Sequence, residues 1–262
     1  ESFEVVIDAG DLTLSGDIDA VGSVLITTDN EAVLEGSVEA GGMESFEFSF
    51  ETRDFLEGGF EELRIEGSSV LVGGAVAGED GETFPLGANV TASGRVIITA
   101  TGDEGIMVAT ASEVVSRLDE SSIVLRADYV DVQGSLYAGA ERGRELLGED
   151  PSILSYEGEG ADIVIGGVEM VTFGGVSPAT DLDVEQGSAV VVGEDVQRPG
   201  TAFATGSIEI EVEGGNAAMF VLQDGNLVTD ASVVPEPSGQ ASSIEITAGS
   251  GIQVFGPIEA RD

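Results

Sequence analysis

The sequence has no cysteine, histidine, lysine or tryptophan, and each absence excludes a class of chemistry. Without cysteine there are no disulfides and no thiolate nucleophiles, and without histidine there is no imidazole catalysis and no zinc site of the Cys/His kind. Acid–base chemistry is left to aspartate, glutamate, tyrosine and arginine. We therefore expect a protein that is not an enzyme, with no catalytic, cofactor-binding or metal-ligating residue to single out and no required cofactor.

Positive charge is also scarce, since 9 basic residues stand against 50 acidic ones and give a net charge of −41. Such a field repels phosphates, so we expect no nucleic-acid partner. No apolar run approaches the roughly 18 residues of a transmembrane helix, so we expect no membrane span. The acidic surface fits a marine or hypersaline habitat, where salt screens self-repulsion, and it fits a surface loaded with Ca²⁺ equally well.

Aromatic residues make up only 5% of the chain, although 42% is hydrophobic and 38 residues are glycine. A core with few large rings has to be built from Val, Ile, Leu and Ala in many small, similar layers. The glycine content is about twice the average and indicates many tight turns. The chain is long enough to bury a real core.

Two short frames recur along the sequence. Residues 12–20 (LTLSGDIDA) and 32–40 (AVLEGSVEA) share the pattern apolar-x-apolar-x-Gly-x-apolar-x-Ala and begin 20 residues apart. Further copies of this first frame stand at 70–78, 130–138 and 252–260. A second frame, an alternating strand opened by Gly or Ser, stands at 22–28, 94–100, 121–127, 206–212 and 242–248. The two frames follow each other in a fixed order, which indicates an internal repeat.

The repeat predicts an all-β protein, a right-handed parallel β-helix (solenoid) that forms a single domain over residues 1–262. Alternating apolar residues predict short strands, and a period near 20 with three bends is one turn of such a helix, with turns about 4.8 Å apart. The alternative is an antiparallel sandwich or barrel, here a halophilic module with binding loops. It is less favoured because its strand order does not repeat at a fixed period, and because Asp-Gly hairpin signals occur only at 80–81 and 224–225.

Four segments interrupt the repeat and are predicted to be insertions on the outside of the solenoid. They lie near 43–66, 111–120, 141–160 and 223–240. We expect an extra strand in the first, short helices in the second and third, and a loop in the last. The spacing of Val114, Val115 and Leu118 indicates the helix near 111–120, while Pro235 and Pro237 favour the loop.

Residues 16–42, GDIDAVGSVLITTDNEAVLEGSVEAGG, resemble the repeats of filamentous haemagglutinin-type exoproteins. These are giant secreted β-helical surface proteins of bacteria with the run G-x-I-x-A-x-G-x-V-x-I-x-A. The clear match covers 12–42, 121–140 and 242–260. The resemblance implies a right-handed β-helix in an extracellular or cell-surface fibre.

We therefore expect a structural module of a fibre or adhesin that stacks end to end through its β-helix turns. The chain begins in a strand (3–7) and stops after a frame (252–260), so we expect one segment of a longer chain or a filament subunit. Expected partners are the protein itself or neighbouring segments of the same polypeptide, head to tail, and surface glycans.

The alternative function is a carbohydrate-binding or carbohydrate-cleaving β-helix protein. It predicts that Arg126, Tyr129, Tyr137 and Arg142 converge on one face, whereas a spacer would scatter them. Calcium is a separate expectation: DLDVE (181–185) and IEIEVE (208–213) carry carboxylates at alternate positions, which become ladders when strands pair in parallel. Specific Ca²⁺ sites and diffuse counterion screening both remain open at this point.

Overall fold

The structure is a computed structural model, and it describes eleven segments of the chain. They are residues 3–41, 61–77, 83–117, 121–139, 161–168, 170–174, 200–213, 218–221, 225–230, 242–249 and 251–261. Over these residues the fold is all-β. This part of the chain contains no helix, and so none that is long and apolar enough to cross a membrane.

Apart from the β8–β9 hairpin, the described strands pair in three rows, and consecutive strands along the chain belong to different rows. Row 1 contains β1 (Phe3–Ala9), β4 (Ser23–Thr28), β7 (Leu63–Val72), β11 (Val96–Val108), β13 (Ser122–Arg126), β16 (Asp162–Val168), β19 (Ile208–Val212) and β22 (Ile244–Ala248). Row 2 contains β2 (Leu12–Leu14), β5 (Glu31–Leu34), the second halves of β7 and β11, β14 (Tyr129–Val132), β17 (Met170–Phe173), β20 (Ala218–Val221) and β23 (Gly251–Val254). Row 3 contains β3 (Ile18–Ala20), β6 (Ser37–Ala40), β10 (Asn89–Ala92), β12 (Glu113–Ser116), β15 (Ser135–Ala138), β18 (Thr201–Ala204), β21 (Asn226–Asp230) and β24 (Ile258–Arg261).

Rows 1 and 2 form one 14-stranded sheet because the long strands β7 and β11 run through both, while row 3 is a separate 8-stranded sheet. Every pairing within the rows is parallel. A hairpin of β8 (Gly74–Ala77) and β9 (Thr83–Leu86) is the antiparallel exception among the described strands. The prediction of an all-β, parallel-strand architecture is confirmed, and the antiparallel alternative is wrong for this part of the chain.

One strand from each row makes a set that we call a tier. In order, the tiers are β1–β3, β4–β6, β7 with β10, β11 with β12, β13–β15, β16–β18, β19–β21 and β22–β24. The pairing register joins equivalent frame positions of neighbouring tiers. Ile18 of tier 1 pairs with Val38 of tier 2, and Leu227 of tier 7 pairs with Ile258 of tier 8.

The alternation of side chains explains why these short sequences form strands around an apolar core. In β19, Ile208, Ile210 and Val212 are buried, whereas Glu209 and Glu211 between them are exposed. The same inward positions are apolar from tier to tier, so one continuous core runs along the rows. Alanine ends the row 3 strands β6, β10, β15 and β18, where Ala40, Ala92, Ala138 and Ala204 are aligned by the register.

Glycine occupies the corner between rows 2 and 3 because neighbouring tiers approach each other closely there. A Cβ atom on Gly36 would lie less than 3.0 Å from the carbonyl oxygen of Gly16 in the preceding tier. A Cβ on Gly134 would lie less than 3.0 Å from the carbonyl oxygens of Ser112 and Ala109, again in the preceding tier. The glycine of the first frame is therefore required by the contact between tiers.

The prediction of a short helix at 111–120 is wrong where the structure describes it, because Glu113–Ser116 is strand β12. It pairs in parallel with β10 and β15, so partners distant in sequence decide its conformation. Val114 and Val115 are both buried, one on each side of the strand. Two adjacent apolar residues also occur on the buried face of a helix, so the local sequence fits both structures.

Two other predicted insertions are corrected in part. Residues 63–66 belong to β7, so the segment near 43–66 ends earlier than predicted, and the expected extra strand lies outside the described residues. Asn226–Asp230 is strand β21 within the predicted loop at 223–240. The segment at 141–160 lies outside the described residues. In the copy of the first frame at 70–78, the second half forms the β8–β9 hairpin, and β10 supplies the row 3 strand instead.

Candidate functional site

The most unusual surface in the described residues is tier 8, because its inward positions are apolar and yet open. Ile252, Val254 and Ile258 have exposed fractions of 45%, 44% and 36%. Their register partners in tier 7, namely Met219, Val221 and Leu227, are 0% exposed. The side chains occupy core positions of the architecture, but among the described strands tier 8 has a neighbouring tier on one side only.

Tier 1 shows the same situation at the opposite end of the rows. Its inward residues Val5, Ile7, Leu12, Leu14 and Ile18 are only partly buried. Their partners in tier 2, Val24, Ile26, Ala32, Leu34 and Val38, are all 0% exposed. Among the described strands, β1–β3 and β22–β24 end the three rows, so each end also presents a strand edge.

The backbone between neighbouring tiers follows a rule at the corner. The amides of Glu35 and Gly36 both donate to the carbonyl oxygen of Leu14 in the preceding tier, at 2.8 and 3.0 Å. The amides of Phe255 and Gly256 both donate to Val221, at 2.7 and 3.3 Å. Tier 5 repeats the pattern, because Gln133 and Gly134 donate to Val108 at 2.9 and 3.0 Å.

Acidic side chains on the outer face are brought into like-charge pairs. Glu209 lies opposite Glu245 in the register of β19 and β22, and both are exposed. Asp19 and Glu39 are also opposed in row 3, where Glu39 forms an ion pair with Arg117 at 2.6 Å. The ladder expected from 208–213 is thus present as the Glu209–Glu245 pair, while the segment 181–185 lies outside the described residues. Parallel pairing places such carboxylates roughly 4.8 Å apart, which is unfavourable in dilute buffer.

Replacing Glu209 by glutamine is expected to raise the free energy of unfolding by about 0.5 kcal/mol at low salt, because a like-charge pair is removed. The gain should vanish in 1 M NaCl, where the Debye length is about 3 Å. Glu211→Gln is the matched control, since Glu211 is also exposed on the same strand but faces Thr247. Urea unfolding at both salt concentrations measures the difference, and an equal gain in both variants would exclude the pairwise cause.

Specific calcium sites remain a prediction. Within the segments described, no cluster of three or more acidic side chains is arranged to hold a metal ion.

The candidate carbohydrate residues are distributed over different sheets. Arg126 ends β13 in row 1 and Tyr129 begins β14 in row 2, so both belong to the 14-stranded sheet. Tyr137 lies in β15 of the separate row 3 sheet. Arg142 lies outside the described residues. The structure therefore does not bring Tyr137 onto one sheet with Arg126 and Tyr129.

Tyr129 is partly buried, and its surroundings disfavour the phenolate. Burial raises the pKa of the Tyr129 hydroxyl well above its usual value, the negative charge of Asp131 adds to the rise, and Thr172 partly offsets it. A proton held this firmly suits a structural hydroxyl and does not suit a general base at neutral pH.

Sequence reasoning located the frames that form the two end tiers but did not identify the hydrogen-bonding rule at the corner. The signal in the sequence is the constant length of the frame. One residue separates the last inward position of row 2 from the corner glycine, as in Leu14–Gly16, Val132–Gly134 and Val254–Gly256. The chain was also compared with known proteins: no family model, no curated protein and no solved structure matches it.

Proposed function

We propose that the chain is a right-handed parallel β-helix that serves as a structural module of an extracellular or cell-surface fibre, stacking end to end through its tiers. Each tier is then one turn of the helix, and the three rows are its faces. The parallel rows and the alternation of rows along the chain support this geometry. The extracellular setting rests on the resemblance of residues 12–42 to exoprotein repeats and on the strongly acidic surface.

A single observation carries the proposal: both end tiers keep the apolar frame of the interior tiers at positions open to solvent. Ile252 and Val254 occupy inward positions of the frame, and a further tier stacked on tier 8 would cover them. Each additional tier covers the apolar positions of the one before it, so the total stability grows with length.

The proposal is tested by joining two copies of the chain in one polypeptide, with residue 262 followed directly by residue 1. The connection between β24 and the next β1 then has three residues (262, 1 and 2), compared with two (Val21 and Gly22) between β3 and β4. We expect one continuous rod in small-angle X-ray scattering. We also expect slow amide exchange in 242–261 of the first copy, because these strands would become interior.

The matched control is the same tandem chain with Ile252→Glu in the first copy, which places a charge at the joint. It should behave as two units connected by a flexible hinge, with fast exchange in 242–261. If the unmodified tandem chain also forms two independent units, the end tiers do not accept a further tier and the structural proposal fails.

A further inference from the structure

We infer that Asn89 is a glycosylation site, at which a sugar is joined to the side-chain amide nitrogen. Residues 89–91 are Asn-Val-Thr, which matches the acceptor pattern Asn-x-Ser/Thr with a residue other than proline in the middle. The other asparagines of the sequence, Asn30, Asn216 and Asn226, have no Ser or Thr two positions later. The inference rests on the extracellular setting of the proposed function, because this modification is typical of exported proteins.

The backbone places the two functional side chains of the motif on the same side of the sheet. Asn89 and Thr91 are the first and third residues of β10, so both point away from the core, while Val90 between them is 0% exposed. The amide and the hydroxyl are therefore neighbours on the outer face of row 3, and one enzyme surface can contact both.

The burial of the two residues determines when transfer can take place. Asn89 is exposed in the folded chain, but Thr91 is only 8% exposed. An enzyme that has to contact the Thr91 hydroxyl must act before folding is complete. The folded chain then keeps the product at its surface, because the Asn89 side chain itself stays open.

The Asn89 side chain is free to carry a substituent. It makes no hydrogen bond or ion pair with the described residues. Its register neighbours are Ser37 of β6 and Glu113 of β12, and Asn89 remains exposed between them. A sugar on its amide nitrogen therefore displaces no polar contact within the part of the chain that the structure describes.

The site lies on the side of the rows, away from both end tiers. Strand β10 belongs to tier 3, and strands of tiers 2 and 4 pair with it on either side. A sugar on Asn89 projects outward from row 3 and does not enter the contacts between tiers. The modification is therefore compatible with end-to-end stacking.

The transfer needs a donor in which the sugar is activated as a glycosyl diphosphate, linked to a lipid or to a nucleotide. The Nδ2 atom of Asn89 attacks the anomeric carbon of the sugar and forms a C–N bond. The bond from that carbon to the diphosphate oxygen breaks, and the diphosphate leaves with the electron pair. The amide loses one proton, and nothing is oxidised or reduced.

The test is mass spectrometry of the full chain recovered from outside the cells that produce it. Cleavage after arginine releases residues 65–95, a peptide whose single asparagine is Asn89. We expect this peptide to carry the mass of one or more sugars on Asn89, whereas the chain made by cell-free translation gives the unmodified mass. A single sugar favours a nucleotide-linked donor, and an oligosaccharide favours a lipid-linked one.

Four variants separate recognition of the motif from other changes. Thr91→Val and Asn89→Gln should abolish the added mass, because each removes one group of the motif, whereas Thr91→Ser should keep it because the hydroxyl is retained. Asn226→Gln is the matched control, since Asn226 is likewise the first residue of a row 3 strand but has no hydroxyl two positions later. It should leave residues 65–95 modified. The mass is measured on a denatured peptide, so it does not depend on the stability of a variant.

Recovery of residues 65–95 from the exported chain at the unmodified mass alone would overturn the inference, as would a sugar retained in Thr91→Val. A chain found only inside the producing cells would contradict both the extracellular setting and the inference. Failure of stacking is distinguishable from failure of the site. A continuous rod from the tandem chain with unmodified Asn89 supports stacking and rejects the site, and two independent units with modified Asn89 do the reverse.

Discussion

Replacing Phe173 by alanine is expected to lower the free energy of unfolding by about 4 kcal/mol. Phe173 is a large, fully buried side chain in a core made mostly of Val, Ile, Leu and Ala. The register places it between Val132 of tier 5 and Val221 of tier 7. These neighbours are β-branched and held in parallel strands, so they cannot move far enough to fill the cavity.

Phe203→Ala is the matched control for Phe173→Ala. Phe203 lies in tier 6 as well, but at an outward and partly buried position of β18. Its removal should cost about 1 kcal/mol, because it leaves an open surface and no cavity. Urea unfolding in 1 M NaCl measures both variants. Equal losses would mean that the interior of tier 6 is not packed as the structure places it.

The frames predicted which residues share a row, because side-chain alternation and the corner glycine are local signals. Each copy of the first frame at 12–20, 32–40, 130–138 and 252–260 supplies a row 2 strand, the corner and a row 3 strand. The second frame supplies row 1, as in 121–127 for β13. These signals are reliable because equivalent positions point inward in every tier. Each strand therefore pairs with a strand that has the same alternation of inward and outward residues.

The sequence does not reveal strands whose conformation is decided by their partners. Residues 113–116 carry adjacent valines that fit a helical face, and only pairing with β10 and β15 makes them a strand. The prediction from the copy of the first frame at 70–78 is wrong in its second half for a different reason. Gly73 adopts a positive φ of 95° after β7, and Gly74–Ala77 then leaves the row to form the hairpin with β9. The local sequence cannot distinguish this hairpin from a row 3 strand, because the glycine-rich segment fits both.

The candidate site was partly visible in the sequence. The apolar frame at 252–260 repeats the frames of the interior tiers, and this pattern predicts that tiers stack end to end. The exposure of Ile252 and Val254 compared with their buried partners requires coordinates, because burial depends on which tier lies beside a residue. The same holds for Gly16. The frame around Gly16 has the same pattern as the frame around Gly36, but of the two only Gly36 contacts a preceding tier among the described residues.

Replacing Gly200 by alanine is expected to lower the free energy of unfolding by about 3 kcal/mol, although the change adds a single methyl group. Gly200 is buried, and a Cβ atom there would lie less than 3.0 Å from both the carbonyl oxygen of Val132 and the amide nitrogen of Gly174. Those two groups form a backbone hydrogen bond of 2.9 Å between tiers 5 and 6. The methyl group therefore has to break that bond or push the tiers apart, and backbone atoms cannot move aside as a flexible side chain can.

Gly166→Ala separates this steric effect from the general consequences of replacing glycine. Gly166 lies in tier 6 too, in β16, and a Cβ atom on it has no heavy atom within 4 Å. There the substitution restricts the unfolded chain only, so stability should rise by about 0.5 kcal/mol. Urea unfolding and amide exchange of 129–139 and 200–204 distinguish the two variants, with exchange accelerated at the tier 5–6 joint in Gly200→Ala alone. If Gly200→Ala were as stable as Gly166→Ala, the close approach of tiers at the corner would be wrong.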